Sequence, residues 1–266
     1  MRVLVTRPQP QADEWVAMLQ ALGVDAVALP LLAIDEAPDP AALCRAREAV
    51  GRMALVMFVS PSAVERFFDG AEPALVAAFS APDAPIAGGT GPGTHAALRR
   101  AGVPEAAIVT PSPEGGRFDS EALWQRLQSM AIGWRGRRVL IVRGEGGRDW
   151  LAETLRSAGA EVAFAEAYRR AAPRLDAPQQ ALLADALSRP TAHCWLLSSS
   201  EAVRQLPALA PSADWSRASA LATHERIADT ARSLGFGDVE QVDVTPEAVA
   251  ARVRRSIQSR DPSSRP

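Results

Sequence analysis

Lysine and asparagine are absent from this 266-residue chain, and all 29 of its basic residues are arginine. Without a lysine amine there can be no Schiff base, no covalently held pyridoxal phosphate and no Walker A loop. Histidine is scarce as well. His95, His193 and His224 stand far apart without metal-ligand spacing, so no metal site and no cofactor are expected. No apolar run approaches the ~20 residues that a membrane span requires. The start, Met1-Arg2-Val3-Leu4-Val5, leads into a strand-like run and not into a signal peptide. The only two cysteines, Cys44 and Cys194, lie in apolar stretches and read as reduced core thiols of a cytoplasmic protein. A net charge of -2 gives no reason to expect nucleic acid or an anionic membrane as partner. Nothing calls for an obligate assembly, so the chain reads as a monomer acting on a small molecule.

What is present is ordinary in bulk, 47% hydrophobic and 23% charged, and sufficient for one large or two modest domains. Val3–Thr6 reads as a strand, and Trp15, Met18, Leu19 and Leu22 recur at the spacing of one helix face before Gly23. With Asp25–Leu29 as the next strand this is a βαβ unit, so the sheet is parallel. The unit returns 136 residues later: Arg138–Arg143 echoes Arg2–Arg7, Leu155 echoes Leu19 and Gly159 echoes Gly23. Leu55–Val64 resembles Cys194–Val203, and Thr90–Gly102 resembles Thr223–Gly235. Three echoes in nearly constant register indicate a duplicated α/β architecture of two similar parallel-sheet lobes with a ligand cleft between them. The breaks at 35–42 and 171–178 suggest that the lobes interleave. One lobe then takes 1–36 with 170–257 and strands near 3, 26, 194, 219 and 240; the other takes 37–169 and strands near 55, 86, 108, 139 and 162. Thr245 and Pro246 start a last helix with Val249, Val253 and Ile257 on one face, and 258–266 reads as a disordered tail.

Ligands of parallel α/β sheets sit at the carboxyl ends of the strands. The loops expected there share one character: Arg7-Pro8; Ser60-Pro61-Ser62; Gly88–Thr94, with Gly91 and Thr94; Arg143-Gly144-Glu145; Ser198-Ser199; and Thr223–Arg226, with His224 and Arg226. Singly, Ser62 or Ser200 reads as an ordinary helix cap and each arginine as a solvated charge. Together, helix N-termini paired with small hydroxyls and guanidinium groups favour an anionic ligand such as a carboxylate or phosphate. Gly144-Glu145-Gly146-Gly147 approaches a dinucleotide fingerprint, but Asp149 holds the third glycine position. The serines lack the Gly-x-Ser-x-Gly elbow of hydrolases. Tyr168, the sole tyrosine, stands just past the strand expected at 161–165, facing the cleft as hinge packing or as a neutral phenol able to give a proton. A binding protein for a small anion and a nucleotide-dependent oxidoreductase both remain open at this level.

Several segments resemble the uroporphyrinogen-III synthase family. They are Val3–Pro8 followed by Leu29–Leu32, Phe58–Val64, Asp119–Leu123, Val142–Arg148 and Tyr168-Arg169-Arg170, in family order from residue 2 to about 253. The resemblance implies two α/β lobes joined by a two-stranded connection. It implies hydroxymethylbilane, a linear tetrapyrrole with eight carboxylates, as substrate, and a cyclising lyase reaction of haem biosynthesis without cofactor. It implies that Tyr168 assists departure of the terminal hydroxyl and that Ser60, Thr94, Ser198 and Ser199 touch substrate. The chain departs from the family at 223–227, where Ile227 replaces the usual hydroxyl, leaving His224, Arg226 or backbone groups to serve there.

Overall fold

Val3, Leu4 and Val5 place apolar side chains on both faces of a strand, as the interior of a parallel sheet demands, and β1 (Arg2–Val5) buries all three. α1 (Gln11–Ala21) is closed by Gly23 at φ 76°, the left-handed conformation that glycine reaches without steric cost. β2 (Ala26–Ala28) then pairs parallel with β1. Within α1 the buried stripe runs through Ala12, Trp15 and Leu19, so Met18, expected on that face, is 41% exposed.

The computed structural model describes residues 1–112 and 118–260. After β2 come β3 (Ala33–Asp35), α2 (Pro40–Glu48), β4 (Leu55–Phe58), α3 (Pro61–Phe68), α4 (Pro73–Ala77), β5 (Ile86–Gly89) and α5 (Pro92–Arg100). β6 (Ile108–Val109), α6 (Ser120–Ser129), β7 (Arg138–Gly144), α7 (Trp150–Ser157) and β8 (Glu161–Ala171) follow. The chain ends with α8 (Ala177–Ser188), β9 (His193–Leu197), α9 (Ser200–Val203), α10 (Leu206–Leu209), β10 (Ser219–Ala222), α11 (Glu225–Leu234), β11 (Asp238–Gln241) and α12 (Pro246–Arg260).

These strands form two sheets, ordered β11-β10-β9-β1-β2 and β3-β8-β7-β4-β5-β6. The chain divides into one unit of Met1–Ile34 with Ala171–Pro266 and a second of Asp35–Arg170. Taken in its own chain order the first sheet reads 2-1-3-4-5, the flavodoxin-like arrangement, with every neighbour parallel. From β8 to β6 the second sheet has the same spatial order, also parallel. Its chain starts at a different strand, so it is a permuted copy. β3 is added beside β8, at a place where the sequence suggests only a break. Of its residues Ala33, Ile34 and Asp35 only Ile34 favours a strand, so this short edge strand is set by its pairing with the long β8.

The sequence echoes are matched bond for bond. Gly23 and Gly159 both adopt positive φ and donate to Gln20 and Arg156 at 2.9 Å each. Arg2 pairs with Asp25, and Arg138 with Glu161, at the same relative places. Ser60 and Ser199 cap α3 and α9 by accepting from Ala63 and Ala202. In the first unit, alternate side chains of β1 and β9 feed two cores. Val3, Val5, Cys194 and Leu196 join α1 and α12, while Leu4, Trp195 and Leu197 join α8, α9 and α11. In the second unit, Leu55, Met57, Val139 and Ile141 pack against α6 and α7.

Three further expectations are corrected. Cys44 is exposed on α2, whose only buried residue is Leu43, so one of the two thiols is no core residue. The Thr245 hydroxyl caps α12 by accepting from Ala248, and Val249 and Val253 are buried, but Ile257 is 46% exposed because the helix outruns its core. α12 continues to Arg260, so 258–260 are helical, and the remainder of the expected tail, 261–266, lies outside the described residues. Among the described residues no helix is long and apolar enough to cross a membrane.

Candidate active site

Ligands of doubly wound sheets bind beyond the strand ends where the strand order reverses. In the first unit that point lies between β1 and β9. The Thr6 N–H and hydroxyl both donate to the Leu196 carbonyl, at 3.3 and 2.7 Å, bringing Arg7 alongside Ser198 and Ser199 at the ends of adjacent strands. The Thr223 N–H donates to the Leu197 carbonyl at 3.1 Å, placing His224 and Arg226 one strand further along. In the second unit the reversal lies between β7 and β4. There Arg143, Gly144 and Glu145 end β7, Ser60-Pro61-Ser62 follows β4, and Gly91 and Thr94 follow β5. Each unit therefore gathers its expected residues at its switch point or one strand beyond it, where His224, Arg226, Gly91 and Thr94 stand.

The second unit's cluster is the more tightly built. Tyr168 is 2% exposed, and its hydroxyl lies 3.1 Å from Ser60 Oγ. The Arg170 guanidinium donates to the same phenol oxygen at 3.3 Å and stands 5.4 Å from the ring centre. The strand expected at 161–165 runs on: β8 extends from Glu161 to Ala171, so Tyr168 lies within it and not at its end. A register shift between Arg143 and Gly144 sets Gly144 opposite Tyr168, and Glu145 donates its N–H to the Tyr168 carbonyl at 2.8 Å. A Cβ on Gly144 would lie 2.6 Å from Cε2 and 2.7 Å from Cζ of that ring. Glycine is needed here for the close approach of the ring.

The remaining residues are held by caps and packing. Ser62 and Thr94 are buried, and the Thr94 methyl faces Gly89, where a Cβ would come within 3.0 Å. Pro61 occupies the first turn of α3, where its missing N–H costs nothing. A Cβ on Gly91 would meet Phe118 at 3.0 Å. His224 Nδ1 accepts from the Arg226 N–H at 3.1 Å, capping α11, and the Ser200 hydroxyl donates to the Arg226 carbonyl. Glu145 is ion-paired to Arg169 at 3.0 Å.

The arginines differ in their surroundings. Arg143 donates to Asp149 at 2.6 Å and lies 3.9 Å over the Phe164 ring. Arg7 lies 4.5 Å over the Trp15 ring, and burial alone pulls its guanidinium down to about 10. Arg170, Trp15 and Phe164 complete these groupings and were not singled out by sequence reasoning. The Arg-Arg pair after Tyr168 was the one available signal for the first. Trp15 and Phe164 read only as core.

Residues 13–251 match the model of the family described as uroporphyrinogen-III synthase HemD. The chain is 32% identical over 257 residues to uroporphyrinogen-III synthase of Escherichia coli K12, covering 91% of this chain and 95% of that protein. To the Salmonella typhimurium LT2 enzyme of the same name it is 31% identical over 256 residues, with the same coverage. Among solved structures it resembles uroporphyrinogen-III synthetase from Helicobacter pylori 26695, with a TM-score of 0.58 and 13% identity over 97% of this chain and 100% of that one. It also resembles a mutant uroporphyrinogen III synthase from the extremely thermophilic bacterium Thermus thermophilus, with a TM-score of 0.56 and 18% identity over 97% and 99%. At such identities the likeness is one of fold. The match along most of the sequence, together with relatives above 30% identity, makes this chain a member of the uroporphyrinogen-III synthase family.

Proposed function

We propose that the chain is a cytoplasmic, monomeric lyase that closes hydroxymethylbilane to uroporphyrinogen III without a cofactor. The observation that carries the chemistry is the Tyr168 hydroxyl held between Ser60 and Arg170 at the second unit's switch point. As the terminal C–O bond of the bilane breaks, the Tyr168 proton passes to the departing oxygen, which leaves as water. The guanidinium N–H on the phenol oxygen stabilises the negative charge left there. The cationic azafulvene so formed is attacked by the substituted carbon of the last ring. The resulting spiro intermediate fragments and recloses with that ring inverted, and the proton lost on rearomatisation returns to Tyr168.

The choice of attacking carbon is a matter of conformation, since the bilane closes without inversion when left alone. Groups that fix geometry therefore serve better than a strong acid–base pair. Arg7, Ser198, Ser199, His224 and Arg226 on the first unit, and Ser60, Ser62, Gly91 and Thr94 on the second, offer hydroxyls, backbone N–H groups and basic side chains to carboxylates, while Pro61, Arg143, Gly144 and Glu145 shape and brace the second set. The purified protein, given freshly generated hydroxymethylbilane, is expected to yield the III isomer. Recovery of isomer I alone, judged by chromatography of the oxidised products, would refute the proposal.

A further inference from the structure

Arg7 and Arg143 occupy the same place in the internal repeat, and so do Asp13 and Asp149. In both copies the arginine Nε is enclosed without a hydrogen-bond partner, and the guanidinium lies against an aromatic ring. The resemblance ends at the carboxylate. Arg143 is joined to Asp149 at 2.6 Å. Asp13 is instead engaged by the Gln9 amide at 3.1 Å, and the depression of the Arg7 guanidinium has desolvation as its sole cause, with no carboxylate opposing it. A half-buried cation whose Nε is enclosed and which has no counter-charge costs free energy that an anion would return in part.

We propose that Arg7 is the vacant cation of the first unit, kept without a protein partner so that it receives a carboxylate of the ligand, and that its repeat counterpart Arg143 is a structural clasp already satisfied by Asp149. This rests on, and deepens, the reading of the chain as a binder of a polycarboxylate. Position supports it: Arg7 stands at the carboxyl end of β1, at the strand-order reversal beside Ser198 and Ser199. The planar Trp15 face 4.5 Å from the guanidinium carbon leaves the edge of the fork, which makes bidentate contacts to carboxylates, as the binding surface.

The experiment uses mellitate, a stable hexacarboxylate, as probe, with calorimetric titration and thermal unfolding of wild type, Arg7→Gln, Arg143→Gln and Asp13→Asn. Wild type is expected to bind mellitate and be stabilised by it. Arg7→Gln should bind about tenfold more weakly, the loss of a charge-assisted pair, while its ligand-free Tm stays level or rises. Arg143→Gln should lower the ligand-free Tm and weaken mellitate less than Arg7→Gln does. Asp13→Asn should change neither. Absence of mellitate binding by wild type, unchanged affinity in Arg7→Gln, or a ligand-free Tm that falls in Arg7→Gln as it does in Arg143→Gln would each overturn the proposal. The mellitate measurements involve no turnover, so failure to convert hydroxymethylbilane would count against the catalytic reading alone.

Discussion

The ring of Tyr168 and the bare Cα of Gly144 are fitted to one another, and the phenol oxygen receives Arg170 and Ser60. Two substitutions separate the parts of this arrangement. Tyr168→Phe keeps the ring and removes the oxygen, and Ser60 retains its bond from the Ala63 N–H. The stability cost should be about 1 kcal/mol, against a loss of turnover of about a hundredfold if the phenol is the acid. Turnover equal to wild type would reject that role. Gly144→Ala drives a methyl into the ring, so unfolding should become easier by about 1–3 kcal/mol, and turnover should fall with it. Calorimetry and a steady-state assay on the same preparations distinguish the two patterns.

Helix starts and the apolar runs of strands follow from local chemistry, and this is why the elements were legible in the sequence. Thr245 caps the helix that its position suggests, whereas α3 and α9 are capped by Ser60 and Ser199, two residues and one residue before the expected Ser62 and Ser200. What escaped depends on neighbours distant in sequence. β8 runs past its apolar stretch through Tyr168, Arg169 and Arg170, which local preference alone does not mark as strand. Cys44 and Met18 sit in apolar segments yet face outward, because the packing partner decides which side of a helix is covered. The reversal points of the sheets, and hence the grouping of the candidate residues, required the strand order itself. One electrostatic element is likewise visible only in three dimensions. Arg189 donates to both oxygens of Asp185, at 2.7 and 2.6 Å, at the end of α8, and buried His193 reaches the same carboxylate at 3.3 Å. Arg189's hydrogen bonding holds the Asp185 carboxyl below its ordinary value, with the charges of Arg189, His193 and Arg2 adding to it and partial desolvation opposing it. A depressed folded-state value means that the contribution is present above the unfolded carboxylate value of about 3.9 and is lost as pH falls through the lower folded value. Arg189→Gln should move the NMR-detected titration of Asp185 upward, and an unmoved midpoint would refute this assignment.

At the scale of the whole molecule the two units share one spatial strand order but receive their strands in different sequence. The second unit is built from one continuous stretch, Asp35–Arg170, whereas the first needs both Met1–Ile34 and the chain from Ala171 onward. The contact between Thr6 and Leu196 that joins β1 to β9 spans 190 residues. Closing so long a loop is slower and entropically costlier than the shorter-range pairings of the second unit, of which β4 with β7 spans 84 residues (Leu55 to Val139). During synthesis, therefore, β1 can meet β2 early but receives its other neighbour, β9, only late. β1 and β2 must remain unpaired with their sheet while the second unit folds, until β9 arrives. Nascent chains arrested once Arg170 has emerged should resist protease across 35–170 while still being cut within 1–34. Protection of β1 should appear only after Leu197 is free to pair. The interleaved layout thus lets the unit that begins first on the ribosome be completed last, and chains stopped short of β9 leave the β1 edge open to pairing with other chains.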